Sequence, residues 1–122
     1  MSQKSRKRAD VRREMRGGRG PAFAVLFATL GDATRLRLVM TLASGEARSI
    51  AELTAGSKLT RQAITKHLRI LERAGMVRCR RTGRESRFAF DPKPVEAMRE
   101  YLATVSAEWD GALARLKAFV ED

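Results

Sequence analysis

The sequence predicts a mainly α-helical protein with one small β-hairpin. Five segments space their apolar residues three and four positions apart, one segment alternates apolar and basic residues, and glycine or proline marks most of the boundaries between them. With 122 residues, the chain is long enough for one hydrophobic core and too short for two. We therefore expect helices around a single core, with the hairpin attached to it.

Three short helices are predicted between residues 21 and 56. Pro21 suits the first turn of a helix, Asp32 suits the N-cap of the second, and Ser49 and Glu52 form a capping-box pattern at the start of the third. The second helix is expected to face the core with its apolar residues. These are Leu36, Val39, Met40 and Ala43.

The fourth helix is predicted from Thr60 to Ala74 and has two different faces. Thr60 is a suitable N-cap, and Gly75 can adopt the left-handed conformation that ends a helix. The apolar stripe consists of Ile64, Leu68 and Leu71. The opposite side is polar and basic, with Gln62, Thr65, Lys66, Arg69 and Arg73.

A β-hairpin is predicted at residues 77–90, where the apolar spacing changes to a period of two. Its turn falls at residues 82–85. The apolar face carries Val77, Cys79, Phe88 and Phe90, and the other face carries Arg78, Arg80 and Arg87. Two short helices joined by a tight break and followed by a basic hairpin predict a winged helix-turn-helix of four helices, two strands and a fifth helix.

The last helix, predicted after Pro94, carries the most regular apolar spacing in the sequence. Its apolar residues alternate between three and four positions apart over about three and a half heptads. They are Val95, Met98, Leu102, Val105, Trp109, Ala112, Leu116 and Phe119. A stripe of this kind predicts a second copy of the chain as partner. The alternative is that the stripe packs only on its own domain.

The formal charge of +11 is concentrated in two regions. Residues 1–20 carry eight basic and two acidic side chains, and residues 58–87 carry ten basic and two acidic side chains. Residues 94–122 carry three basic and six acidic side chains. We expect residues 1–20 to form a basic disordered tail, residues 21–93 to form a domain that binds a polyanion, and residues 94–122 to form a dimerisation helix of the same domain. The alternative is a solvated basic surface with no particular partner.

Double-stranded DNA is the polyanion that fits these elements, because the major groove admits an α-helix whose first residues reach base edges. Arg61 can bind guanine with two hydrogen bonds, Gln62 can bind adenine, and Arg84 at the hairpin tip can enter a minor groove. Thr65 can contact a base edge or a phosphate, and the remaining basic residues suit phosphates. The predicted DNA-binding residues are Thr60, Arg61, Gln62, Thr65, Lys66, Arg69, Arg78, Arg80, Arg84 and Arg87.

Other classes of function fit the residues less well. No nucleophile–base pair, phosphate-binding glycine loop or acidic metal cluster indicates an enzyme, and no cofactor is expected. No apolar run approaches the roughly 20 residues that span a bilayer, so we expect a soluble cytoplasmic protein without a membrane partner. Two alternatives stay open: a nonspecific architectural or RNA-binding protein, and a module whose last helix binds a different protein.

Several motifs resemble those of the ArsR/SmtB family of regulators. They are LFATLGDATRLRL at residues 26–38, TKHLRIL at 65–71, AGMV at 74–77 and GRE at 83–85. They stand in the family's order, and the likeness covers about residues 23–91. The resemblance implies a homodimer built on the first and last helices, which adds Phe23 and Phe27 to the dimerisation residues. It also implies binding to an imperfect inverted repeat and repression until a signal releases the DNA.

The chain departs from the metal-sensing members that it resembles. Where those carry a Cys-Val-Cys run, this chain has Ser49, Ile50 and Ala51, and its last helix has no histidine. Lys58 replaces the glycine usual in the turn. We therefore expect a member of the branch without the metal-binding cysteines, with no metal site and an effector that the sequence does not identify.

Cys79 and His67 are the single cysteine and the single histidine. The inward face of the hairpin favours an ordinary buried role for Cys79, and with no second cysteine an intrachain disulfide is excluded. The alternative is a redox switch in which Arg78 and Arg80 activate the thiol. For His67, a packing or phosphate contact is favoured over metal ligation.

Overall fold

The computed structural model describes residues 20–121, which fold into five helices and three strands. In chain order these are α1 (Gly20–Leu30), α2 (Ala33–Ala43), β1 (Arg48–Ser49), α3 (Ile50–Ala55), α4 (Arg61–Arg73), β2 (Val77–Thr82), β3 (Glu85–Phe90) and α5 (Lys93–Glu121). This is the mainly helical fold that the sequence predicts, and the predicted hairpin, β2–β3, forms part of a three-stranded antiparallel sheet. The basic tail predicted at residues 1–20 lies, apart from Gly20, outside the described residues. None of the described helices is both long and apolar enough to cross a membrane.

The chain divides into two compact units. Residues 23–95 form the first, which contains the helix-turn-helix pair α3–α4 and the hairpin β2–β3. Residues 96–121, which are most of α5, belong to the second. All ten residues predicted to bind DNA therefore lie in the first unit.

The core of residues 23–95 joins helices to the hairpin. Ile64, Leu68 and Leu71 of α4 are at most 1% exposed, as the predicted stripe requires, and Phe88 of β3 is fully buried. α2 contributes Leu42, which is 1% exposed. Full burial of one such side chain stabilises a fold by roughly 1.5–3 kcal/mol. The core thus fixes α4 with its polar side directed outward.

The prediction for the buried face of α2 is wrong at three of its four positions. Val39 is buried as expected, but Leu36, Met40 and Ala43 are exposed. The buried face consists of Leu38, Val39 and Leu42. Both sets follow helical spacing, because α2 carries two overlapping apolar stripes. Periodicity alone does not choose between them, and the packing against the rest of the core does.

Hydrogen bonds confirm two of the predicted N-caps and the predicted end of α4. Asp32 Oδ1 accepts from the backbone N–H of Arg35 at 3.0 Å, and Thr60 Oγ1 accepts from that of Ala63 at 3.1 Å. Gly75 has a φ of +79°, in the left-handed region that glycine adopts without strain. The first residues of α4 are therefore held in a fixed position.

The two-residue strand β1 pairs with β3 and is missing from the sequence prediction. Arg48 lies opposite Phe88 and Ser49 opposite Arg87, which gives the sheet the order β1-β3-β2. Two residues are too few to reveal a period of two, and Ser49 is also the N-cap of α3. The strand attaches the start of α3 directly to the hairpin.

Replacing Ser49 with alanine is expected to lower the free energy of unfolding by about 1 kcal/mol. Ser49 Oγ accepts from the Glu52 N–H at 3.1 Å, and Glu52 Oε1 accepts from the Ser49 N–H at 3.3 Å, so the predicted capping box is present. Denaturant unfolding measures the change. The matched control is Ser44→Ala, since the exposed hydroxyl of Ser44 donates only to the Thr41 carbonyl. Equal unfolding curves for Ser49→Ala and Ser44→Ala would contradict the capping role.

Candidate nucleic-acid interface

The first turns of α4 present polar side chains that the core does not use. Arg61 and Gln62 are exposed, and together with Thr60 and Thr65 they line an open depression at the start of the helix. Thr65 Oγ1 donates to the Arg61 carbonyl at 2.7 Å, so its hydroxyl is left to accept a hydrogen bond rather than to donate one. Helical spacing places residues 61, 62 and 65 on one side. This end of α4 can reach base edges.

The tip of the hairpin lies beside this end of α4. Gly83, with a φ of +64°, makes the turn, and Arg84 follows it. A concavity of about 90 Å³ is lined by Arg61, Arg84 and Ser86 together with residues 49–51 and Glu85. Arg61 and Arg84 are 23 positions apart in the sequence, and the fold brings them to one site with the start of α3.

Three of the predicted DNA-binding arginines have partners within the protein. Arg78 Nε lies 2.7 Å from Asp91 Oδ2. Arg87 Nη2 lies 3.2 Å from Glu52 Oε1 and also donates to the Ala47 carbonyl. These contacts tie the hairpin to the chain segments on both sides of it. Arg78 and Arg87 are therefore less available to phosphate than the sequence prediction assumes.

Arg69 is the third arginine with internal partners. Its Nη1 donates to Glu72 Oε1 at 2.8 Å, and its guanidinium lies over the Phe88 ring, 5.5 Å from the ring centre. The hydrogen bond to Glu72 is the main reason that the pKa of Arg69 is raised, with a smaller contribution from Cys79. Arg69 therefore links α4 to the hairpin as a permanent cation.

The remaining predicted cations have no such partners. Among residues 20–121, no carboxylate forms an ion pair with Arg61, Lys66, Arg80 or Arg84, and all four side chains are exposed. They lie on the first half of α4 and on the hairpin. This subset can neutralise phosphates without breaking an existing contact.

His67 and Cys79 both lie partly inside the domain. His67 Nδ1 is buried with no hydrogen-bond partner among the described residues, 3.9 Å from Asp32 Oδ1. Cys79 is half-buried and faces Phe88 across the hairpin. The described residues contain no group of three or more histidine, cysteine, aspartate or glutamate side chains that could hold a metal ion.

Three carboxylates in this unit have a lowered pKa. The backbone N–H of Arg35 is the main cause for Asp32, the Ser49 N–H for Glu52, and the hydrogen bond from Arg78 for Asp91. Because the folded pKa lies below the ordinary value, each group stabilises the fold above that value. The contribution is lost as the pH falls below 4.5 for Glu52 and below 3.8 for the two aspartates.

Glu52→Gln is expected to make stability less sensitive to acid. Glutamine can keep the capping-box hydrogen bond but does not titrate. Urea unfolding of both proteins at about pH 7 and about pH 3 measures the effect. The loss of stability between the two conditions should be smaller in the variant. An equal loss in both proteins would show that Glu52 does not contribute to acid sensitivity.

α5 exposes a broad apolar face. Trp109, Leu113, Leu116, Phe119 and Val120 are between 57% and 81% exposed. Of the predicted dimerisation residues, Leu102 and Ala112 are also exposed, Val105 is half-buried, and Met98 is buried. The sequence prediction omits Leu113 and Val120, although each stands four positions after a seam residue, a spacing that could have identified them. On α1, Phe23 is buried and Phe27 half-buried.

A helix-turn-helix pair with an exposed polar recognition helix and an adjoining basic hairpin defines a DNA-binding winged helix-turn-helix domain. The comparisons with known proteins agree. Residues 30–80 match the family model of a helix-turn-helix domain. The arsenic resistance transcriptional regulator ArsR1 of Pseudomonas putida is 30% identical over 88 residues, which are 70% of this chain and 69% of that protein.

Solved structures extend the likeness over more than three quarters of the chain. The ArsR-like transcriptional regulator from Rhodococcus sp. RHA1 has a TM-score of 0.72 and 32% identity, over 84% of this chain and 95% of that one. The transcriptional repressor BigR from Xylella fastidiosa has a TM-score of 0.59 and 26% identity, over 78% of this chain and 94% of that one. The chain belongs to the ArsR family of helix-turn-helix transcriptional regulators, and it is a DNA-binding regulator of transcription.

Proposed function

We propose that the chain is a homodimeric repressor that binds an inverted-repeat operator and reads it with Arg61, Gln62 and Arg84. The observation that carries the proposal is the position of Arg61 and Arg84 around one concavity beside the exposed end of α4. A helix end and a hairpin tip placed together can contact a major groove and the neighbouring backbone or minor groove at once.

The roles of the basic residues follow from their contacts. Arg61 donates two hydrogen bonds to a guanine, Gln62 contacts an adenine, and Thr65 accepts from a base amino group. Lys66 and Arg80 contact phosphates. Arg69 and Arg87 hold the hairpin against α4 and α3, and Arg78 binds Asp91 directly after the hairpin. These three arginines contribute to binding through the position of the hairpin.

Dimerisation would be carried by the apolar face of α5. Large exposed apolar patches on a soluble protein mark interaction surfaces, and a helix with a heptad seam is suited to a second copy of itself. Two copies related by a twofold axis would place their recognition helices about 34 Å apart, one turn of the duplex. An inverted repeat is the operator symmetry that matches such a dimer.

Repression is supported by physical exclusion, because a dimer bound across two half-sites prevents other proteins from binding the same DNA. The structurally similar BigR is described as a transcriptional repressor. The releasing signal is proposed to be something other than a metal ion, since Ser49, Ile50 and Ala51 supply no thiolate.

The experiment that tests the proposal is selection of bound fragments from genomic DNA by the purified protein. A repressor of this kind is expected to enrich an inverted repeat and to prefer it over random DNA by on the order of a thousandfold or more. A transcription assay on the enriched fragment then tests repression. Uniform recovery of all fragments would favour the alternative, a nonspecific architectural or RNA-binding protein, for which the basic charge is sufficient.

Arg61→Ala is expected to weaken operator binding by about 1–3 kcal/mol, which is roughly fivefold to 150-fold. Binding to random DNA should change much less, because the variant loses a base contact. Fluorescence anisotropy with both duplexes at one salt concentration measures the two effects. Arg115→Ala, which removes an exposed arginine from α5, is the matched control and should change neither affinity. An equal loss on both duplexes would show that Arg61 contacts only phosphate.

A further inference from the structure

A cleft of about 660 Å³ lies within residues 23–95, and its lining shares no residue with the depression at the start of α4. Its walls are α2, α3 and the turn of residues 56–59 that leads into α4. The volume is in the range of about 300–1,000 Å³ that small-molecule sites occupy. The cleft is therefore large enough for a small organic ligand.

The charged side chains of the cleft favour an anion. Arg37, Arg48 and Lys58 line it, with Glu52 as the one carboxylate of the lining. Glu52 is already bound by Arg87 at 3.2 Å, and it lies in the field of Arg48, which contributes to its lowered pKa. Among the described residues, Arg37 and Lys58 have no carboxylate partner. Both are exposed, so their charges are available to a ligand.

The same cleft has an apolar part. Leu38, Leu53 and Ile64 contribute to its lining from the core, and Leu59 remains 38% exposed at its wall. A purely hydrated anion such as phosphate would leave this surface unused. A ligand that combines an anionic group with an apolar body would use both parts of the lining.

We propose that this cleft binds a small organic anion, with its charged group between Arg37 and Lys58 and its apolar body against Leu53 and Leu59, and that the bound anion weakens operator binding. The inference rests on the proposed function and supplies it with an effector site. The ligand class is an aromatic or aliphatic carboxylate or a molecule of similar chemistry.

The coupling to DNA follows from the position of the turn. Residues 56–59 form one wall of the cleft and end next to Thr60, the N-cap of α4. Ser57 Oγ accepts from the Leu59 N–H at 3.0 Å, which holds the turn in shape. An anion bound at Lys58 cancels positive charge two residues before Thr60, the N-cap of the recognition helix, and this weakens the attraction of that end of the helix to the duplex phosphates. By thermodynamic reciprocity, operator DNA must weaken ligand binding by the same factor.

The probe for the test is 1-naphthoate, added to the ¹⁵N-labelled full chain without DNA. Its binding is expected to shift the amide signals of Leu38, Gly56, Ser57 and Leu59. Arg37→Gln combined with Lys58→Gln should weaken the probe's affinity by about tenfold or more, which corresponds to 1.4 kcal/mol. Arg115→Gln combined with Lys117→Gln removes two exposed cations from α5 and should leave the affinity unchanged. The amide spectra of both variants verify that they fold.

A second arm measures operator affinity by anisotropy with saturating 1-naphthoate. We expect a weakening of about fivefold or more in the wild-type protein and none in the cleft variant. Probe shifts confined to α5, or equal probe affinity in the cleft variant and the wild type, would overturn the proposal. The proposal would also be overturned if the cleft variant lost operator affinity and the wild type did not bind the probe. Arg37 and Lys58 would then be phosphate contacts. Failure of the unliganded wild type to prefer an operator would instead overturn the proposed function and leave the probe result standing.

Discussion

Truncation of Phe88 to alanine is expected to lower the free energy of unfolding by about 3–5 kcal/mol. The ring is fully buried and lies opposite Cys79 on one neighbouring strand and opposite Arg48 on the other. Arg69 of α4 covers its face. The substitution therefore leaves a cavity at the point where the sheet and the recognition helix meet. Denaturant unfolding, with midpoints and slopes compared, measures the loss.

Two further variants separate burial from the loss of an aromatic ring. Phe90→Ala removes the same atoms from the same strand at a position that is only half-buried, and it should be clearly less destabilising. Phe88→Leu keeps most of the volume and should also be milder than alanine, although it removes the stacking with Arg69. If Phe88→Ala and Phe90→Ala lowered stability equally, Phe88 would not be the centre of this core.

The local features of the fold were accessible from the sequence because they depend on residues close together in the chain. Asp32 and Thr60 each cap a helix by a bond to the third residue after them, and Gly75 ends α4 by its own backbone conformation. Such signals are complete within one helical turn. The N-terminal ends of α2 and α4 and the position of the hairpin turn could therefore be predicted.

Features that depend on distant residues were not accessible. The sequence prediction is wrong for the buried face of α2, because two stripes of helical spacing compete and only the packed core distinguishes them. The pairing of Arg87 with Glu52 joins residues 35 positions apart, and the strand β1 exists only because β3 lies beside it. Neither leaves a local pattern in the sequence.

The same distinction between local and distant residues applies to the candidate site. Exposed polar residues at the start of α4 followed from the apolar stripe on its other side, and Arg84 followed from the hairpin turn. The internal partners of Arg78 and Arg87 could not be predicted, because Asp91 and Glu52 lie 13 and 35 positions away from them, whereas Arg69 and Glu72 are neighbours on one helical turn. The structure therefore narrows a list based on residue type to a smaller set of available side chains.

Placing charge on the apolar face of α5 is expected to have the largest effect on DNA binding. In Trp109→Glu combined with Leu116→Glu, each carboxylate replaces a side chain that is 57% exposed or more, so the fold of the single chain should be retained. Four glutamates, two from each copy, buried in the proposed dimer would cost far more than the dimer contact can offset. We expect a monomer in sedimentation and a loss of operator affinity on the order of 10²–10⁴, the advantage that linking two binding modules provides.

Ala107→Glu is the matched control, because it adds the same carboxylate to the same helix on the opposite face. Ala107 is exposed and stands nearly half a turn from the direction shared by Trp109 and Leu116. This variant should remain a dimer with wild-type operator affinity. The Trp109/Leu116 variant should also lose any dependence of its melting temperature on protein concentration, which the dimeric control keeps. If both variants sedimented like the wild type and bound the operator equally well, the apolar face of α5 would not hold the dimer together, and operator symmetry would need another structural origin.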